Sequence, residues 1–330
     1  MPAGLIPSPL TVILGLTAAL VLLAGCAAVI DAQATRREAR WEAANPPAGR
    51  FVTVEGHQIH LREMGQPAGS APDLVLIHGA NGNLRDFTFD LTDRLKDDYR
   101  IIALDRPGLG WSDSWGTADG DPRVQARILR RAVAGLGVRQ PIVLGHSYGG
   151  AVAMAWALEA PQDTAALVIV SGATYPWEGA LGLWYRINAG PLGSAARHLL
   201  SALVPETAAR ITFRSVFDPH PLPDGYVDHF GAGLSMRRSS QANNTRQVNA
   251  LNGFLRQMQP GYADLSLPIE LVHGEQDTIV GLDIHSARLE SEVASARLER
   301  LPDAGHMPHH SHPDTVVAAV ARARDRAGLR

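Results

Sequence analysis

The stretch Pro141-Ile142-Val143-Leu144-Gly145-His146-Ser147-Tyr148-Gly149-Gly150 constrains the fold more than any other part of the chain. Ile142 to Leu144 are too few and too tightly bounded for a helix, and they read as a short buried strand. Ala151, Val152, Met154, Ala155 and Leu158 then recur at helical spacing until Pro161. Ser147 therefore stands at a sharp strand-to-helix reversal. That geometry drives its backbone toward positive φ, while Gly145 and Gly149 leave room for neighbouring backbone. Strain held at one serine points to function. The tip of such a turn exposes Oγ, and the helix beneath it supplies free N–H groups and positive dipole potential for an oxyanion.

The amino end constrains location instead. Residues 1–30 carry no charged side chain, and Leu10 to Ile30 is an almost continuous apolar run of 21 residues. As a helix it spans roughly 30 Å, the hydrocarbon thickness of a bilayer. A helix apolar on every face at a chain terminus has only lipid to bury against. The expected division is residues 1–9 as a short N-terminus, 10–30 as a transmembrane anchor or lipoprotein-like signal, and 31–49 as a linker. Leu23-Ala24-Gly25-Cys26 resembles a bacterial lipobox, which makes Cys26 a candidate for lipidation. The missing basic n-region and the apolar residues after Cys26 favour an uncleaved anchor. Arg36, Arg37 and Arg40 favour a cytoplasmic domain by the positive-inside rule, whereas a lipobox requires export, so the side of the membrane stays open.

Composition excludes several classes. The net charge is −3 and the 30 basic residues, of which only Lys96 is lysine, are scattered, so no nucleic-acid partner is expected. A single cysteine rules out intramolecular disulfides and any cysteine-built zinc site. No metal and no cofactor are expected. Gly108-Leu109-Gly110 lacks the third glycine of a dinucleotide fingerprint.

From Arg50 onward the pattern alternates strand and helix. Phe51–Val54 and Ile59–Glu63 read as an antiparallel pair about Gly56. Asp73-Leu74-Val75-Leu76-Ile77, Arg100–Leu104 and Ala166–Val170 are continuous apolar strands of a sheet covered on both faces. The loop Gly79-Ala80-Asn81-Gly82-Asn83 can turn backbone N–H groups toward a ligand, and the Ala80 amide is the expected partner of Tyr148 in an oxyanion hole. Residues 124–136 form an amphipathic crossover helix.

Together the His78-Gly79 loop, Asp105-x-Pro107-Gly108-x-Gly110-x-Ser112 and the Gly145-His146-Ser147-Tyr148-Gly149 turn resemble the α/β-hydrolase superfamily over residues 50–330, in a serine-nucleophile, membrane-anchored bacterial form. The resemblance implies an α/β fold with a mostly parallel central sheet, helices on both faces and a helical cap insertion. It implies catalytic residues in the order Ser, acid, His. Ser147 is then the nucleophile. Asp277, after the strand-like Pro268–Val272 and His273-Gly274, is the orienting acid, with Glu275 as its rival. His306 in Leu301-Pro302-Asp303-Ala304-Gly305-His306 is the general base, ahead of His309, His310 and His312. Serine at the nucleophile position argues against the epoxide hydrolases and haloalkane dehalogenases of this superfamily, which use aspartate.

Residues 50–174 and 263–330 form the expected core, and 175–262, broken by Pro191, Pro205 and Pro219 to Pro223, the expected helical cap. Trp177, Trp184 and Phe217 are candidates for lining an apolar substrate pocket. The expected activity is cleavage of an ester or related acyl bond in a small, largely apolar substrate through an acyl-enzyme. A carbon–carbon bond hydrolase or cofactor-free haloperoxidase is the alternative on the same residues. A non-catalytic binding module is the alternative from another class.

Overall fold

The computed structural model describes residues 8–329. Eight strands form one sheet: β1 (Arg50–Val54), β2 (His57–Gly65), β3 (Asp73–Ile77), β4 (Arg100–Leu104), β5 (Ile142–His146), β6 (Ala166–Val170), β7 (Ile269–Gly274) and β8 (Ala296–Leu301). Their spatial order is β1-β2-β4-β3-β5-β6-β7-β8. β1 and β2 pair antiparallel, as do β2 and β4, and every later pair is parallel. Glu55 and Gly56 make the β1–β2 turn with φ of 52° and 83°, the handedness that matches strand twist.

β4, β5, β6 and β7 are buried along their whole length. Alternate side chains enter two different cores. Val75, Ile77, Val143, Leu167 and Ile169 face one layer. It is built from α3 (Pro122–Ala134), α4 (Tyr148–Glu159), α10 (Arg238–Met258) and α11 (Ser286–Glu292). Leu74, Leu76, Ile142, Leu144 and Val168 face α2 (Leu91–Leu95) and α13 (Pro313–Arg326). Continuous apolar strands thus report a sheet wrapped on both sides. Ordinary caps set the boundaries: Asp121 accepts from the Arg123 amide and Pro122 opens α3.

β3 lies between β4 and β5, so the chain leaves it to one side and returns on the other. The carboxyl ends of β3 and β5 therefore open onto a crevice, where ligands bind in open α/β sheets. Between β6 and β7 the chain makes α5 (Leu183–Ala189), α6 (Gly193–Leu203), α7 (Glu206–Phe217), α8 (Tyr226–Phe230), α9 (Ala232–Met236) and α10. The short α12 (Pro308–Ser311) precedes α13.

The amino end departs from expectation. Residues 1–7 of the expected segment 1–9 lie outside the described residues. The expected linker over 31–49 is largely helix, because α1 runs unbroken from Pro9 to Ala44, capped by Ser8. Charge replaces apolar side chains at Asp31, but no Gly or Pro interrupts the helix until Asn45-Pro46-Pro47. The half before Asp31 is long and apolar enough to cross a membrane and has no buried residue. The half after it docks on the insertion, with Ala34 and Trp41 buried.

Candidate active site

Ser147 occupies the turn between β5 and α4 with φ 53° and ψ −119°, a conformation that costs a non-glycine residue of order 1–3 kcal/mol. Close backbone approach holds it there. A Cβ on Gly145 would come within 2.3 Å of the Gly149 carbonyl oxygen, and one on Gly149 within 2.1 Å of the Ile77 oxygen. The Gly79 backbone also abuts the serine, since a Cβ there would meet Ser147 Cβ at 3.0 Å and Oγ at 3.5 Å. Although Ser147 sits at the N-cap of α4, its side chain caps nothing and stays available.

His306 Nδ1 is 2.8 Å from Asp277 Oδ2, so this ring nitrogen is engaged and Nε2 is left toward the cavity that His306 and Ser147 both line. Asp277 Oδ1 accepts the Ile279 and Val280 amides at 2.8 and 2.9 Å. Oδ2 also lies 3.2 Å from His273 Nε2. Burial pushes the Asp277 carboxyl up, but hydrogen bonds from His273, His306 and the backbone outweigh it and hold it well below the usual carboxylate range. Glu275, the rival acid, is exposed.

The Ala80 and Tyr148 amides donate to no backbone carbonyl among the described residues. Arg106 orients the first of these loops. Its fully buried guanidinium donates from Nε to the His78 carbonyl and from Nη2 to the Gly79 carbonyl, each at 3.0 Å, and lies 4.2 Å over the Tyr148 ring. Nη1 is held by Gln125 and Gln247, both at 2.9 Å. With those carbonyls turned toward Arg106, the following amide faces away from them. His78 completes the frame: Nδ1–H donates to the Gly79 carbonyl and Nε2 accepts the Arg106 amide, a pattern that only neutral imidazole allows. Burial, joined by the Arg106 charge, lowers its pKa to about 4. Asp105 ties in the loop behind, accepting from the Leu84 and Trp111 amides and from His60.

These polar groups sit at one end of a cavity of about 590 Å³. Leu200, Val204, Ala208, Phe213 and Val216 from α6, α7 and the turn between them, with Trp184, Phe230 and Met236, supply its apolar walls, and among the described residues no Lys or Arg lines it. Asp86 lies in the floor beside His146. Its oxygens accept from Tyr226 Oη at 2.7 Å and lie 2.8 and 3.2 Å from His310 and His309 Nε2. Burial raises the Asp86 carboxyl, but the two histidines bring it well below its ordinary range.

The sequence candidates scatter accordingly. Ser147, His306, Ala80 and Trp184 line the cavity, and Asp277 backs His306. Trp177 and Phe217 do not line it, a correction. Trp177 bonds to Asn252 and packs on the sheet-side core, and Phe217 is buried against Tyr226 and His310. The four histidines of the 306–312 loop separate: His306 pairs with Asp277, His309 and His310 with Asp86, and His312 with Asp303. Ligating atoms of Asp86, His146 and His309 lie within 4.8 Å of one another, but both Asp86 oxygens already hold hydrogen-bond donors. Cys26 is exposed on α1. Arg106, Asp86 and His273 escaped the sequence reading. The only signal was an unusual density of His and Arg beside recognised turns.

A strained serine at the carboxyl end of β5 and a histidine paired with an aspartate line one apolar cavity, an arrangement that fits the α/β-hydrolase class. The alpha/beta hydrolase fold family matches residues 72–313, and the chain belongs to that family. An uncharacterized protein of Mycobacterium bovis is 28% identical over 85% of this chain and 82% of its own length. A 2-hydroxy-6-oxononadienedioate/2-hydroxy-6-oxononatrienedioate hydrolase of Klebsiella pneumoniae is 27% identical over 84% of this chain and 96% of its own. Among solved structures, an esterase of Exiguobacterium antarcticum superimposes with a TM-score of 0.65 at 19% identity, covering 84% of this chain and 99% of its own. A membrane phospholipase A superimposes at 0.64 and 21% identity, covering 94% of this chain and 98% of its own, a longer span than residues 50–330 alone.

Proposed function

We propose that the protein is a membrane-anchored serine hydrolase that cleaves a carboxylic ester with an apolar acyl group. The observation that carries this reading is Ser147, held at φ 53° in the cavity that His306 also lines, with His306 fixed by Asp277. His306 Nε2 takes the Ser147 proton as Oγ attacks the ester carbonyl, then returns it to the leaving alcohol. Asp277, ionised throughout, fixes the tautomer and stabilises the imidazolium. The Ala80 and Tyr148 amides receive the developing oxyanion. Water then releases the acyl group by the same steps in reverse roles.

The Klebsiella relative favours the carbon–carbon hydrolase alternative, and the substrate in its name is a dicarboxylate. Among the described residues no Lys or Arg lines the cavity to pair with carboxylates, and the carboxylate of Asp86 does line it. Two like charges in a desolvated pocket repel, which favours the uncharged ester. For the amino end, an unbroken α1 that docks on the domain supports a retained anchor over cleavage at Cys26.

The test uses the full chain in detergent with a fluorophosphonate probe and p-nitrophenyl esters from acetate to palmitate. Labelling that Ser147→Ala abolishes, with turnover of at least one ester, is the expected result. A folded protein that neither labels nor turns over any ester sinks the hydrolase reading.

A further inference from the structure

The two halves of α1 belong to one rigid rod, and the docked half grips the wall of the cavity. Glu38 accepts from Ser201 Oγ at 2.9 Å and from the backbone and guanidinium of Arg238 at 2.8–3.0 Å. Arg37 donates to the Val204 carbonyl at 2.5 Å, Trp41 Nε1 to Glu206 at 2.6 Å, and Arg237 to Glu42 at 3.0 Å. Trp41 fills the space over Gly233, where a Cβ would meet its ring at 2.3 Å. Between Asp31 and Ala44 there is no Gly or Pro to act as a hinge.

The register of these contacts orients the insertion relative to the apolar half. Asp31 pairs with His198 at 3.4 Å and Arg37 with Val204, an advance of six residues on each helix, so α6 runs alongside α1 in the same direction. The amino end of α6 therefore points toward the apolar segment. Leu192, six residues before His198, lies about 9 Å further that way at helical rise, level with residue 25 and inside the uncharged run. Leu192 is 70% exposed, and Leu183, Ile187 and Leu199 on α5 and α6 are exposed as well. The same α6 turns Leu200 into the cavity, with Val204 just after it, so one helix carries apolar side chains both on the exposed edge and in the pocket of Ser147.

We propose that this edge of the insertion, carrying Leu183, Ile187, Leu192 and Leu199, is seated in the bilayer surface and passes the acyl chain of a membrane lipid directly into the cavity. The proposal rests on the ester-hydrolase reading for its chemistry. The bilayer is the occupant because the one helix among the described residues that is long and apolar enough to cross a membrane is locked to the same wall, and its position sets the depth of Leu192. Seating the edge in lipid also removes four large apolar side chains from water.

The experiment uses the full chain, with Cys26→Ser, reconstituted in phosphatidylethanolamine/phosphatidylglycerol vesicles. A fluorophore at Leu192→Cys should be quenched by bromolipids, while one at the exposed Asp303→Cys should not. The double variant Leu183→Glu/Leu192→Glu should keep kcat/KM for p-nitrophenyl butyrate in detergent within about twofold and lose at least tenfold in fatty-acid release from the vesicles. Unquenched Leu192 overturns the proposal, as does undiminished lipid cleavage by the double variant. A disulfide formed under mild oxidant between two copies of the Leu192→Cys variant, without bromolipid quenching, overturns it in favour of a dimer face. Failure of the wild type on both ester and lipid overturns the hydrolase reading instead, and quenching still decides where the edge sits.

Discussion

The serine turn and the insertion above it are held by opposite means. Around Ser147, backbone approaches backbone so closely that Gly145 and Gly149 admit no Cβ, and the flanking strands are fully buried. In the insertion, α6 and α7 bury only Gly193, Ser201, Ala202 and Phe217, and long polar contacts to α1 do the positioning. The difference separates two tasks. Transition-state geometry tolerates little displacement, so it sits where the main chain is over-determined. Selection and admission of substrate need a wall that can vary and move, so it sits where few buried contacts hold it.

The largest expected effect lies in the rigid region: Ser147→Ala or His306→Ala should lower kcat on the order of 10⁴ to 10⁶, with folding unchanged by circular dichroism. Where α1 docks on the insertion, Trp41→Ala should cost about 3–5 kcal/mol of local stability. Because Trp41 touches the insertion and not the sheet, rapid proteolysis within residues 183–217 with an unchanged main melting transition would sharpen the comparison. Loss of the whole fold would break it. Arg106→Met removes four hydrogen bonds from buried acceptors, at about 1–3 kcal/mol for each polar group left unpaired. It should reduce kcat far more than it raises KM, since it orients the Ala80 loop and touches no substrate. Phe213→Ala should shift the preferred acyl length upward, with a change of roughly tenfold in relative kcat/KM across the p-nitrophenyl series.

The smallest expected effect is on pH dependence. His78 and His285 are buried and lowered to about 4; His285 accepts the Thr174 and Tyr175 amides, so it too is neutral when folded. Unfolded, each titrates near 6.5, so between about pH 6.5 and 4 the unfolded chain binds more protons. Stability should fall as pH falls through that window, by up to about 1.4 kcal/mol per pH unit for each group, and stay flat above pH 7 on their account. Replacing His285 by Gln should flatten the Tm profile there, and an unchanged slope would remove it as a cause.

Much of this architecture is legible in the sequence. The strand–serine–helix turn was readable because Ile142–Leu144 and Ala151–Leu158 differ in period and because two glycines bracket the serine. Asp277 and His306 followed from the resemblance of their loops. The role of Arg106 was not legible, since its acceptors at His78 and Gly79 and its partner Gln247 lie 27 to 141 residues away. Trp177 and Trp184, seven residues apart and equally aromatic, could not be told apart: only packing turns one to the sheet and the other to the cavity.

The chain's own pattern determined what local physics can encode: where period changes, where glycine is obligatory, and that residues 10–30 cannot be solvated cheaply. Tertiary structure alone decided that α1 continues through a change of charge and clasps α6. Helix propensity does not stop at Asp31, and a helix that has nowhere to dock is indistinguishable in sequence from one that does until Trp41, Glu38 and Arg37 meet residues more than 160 positions away.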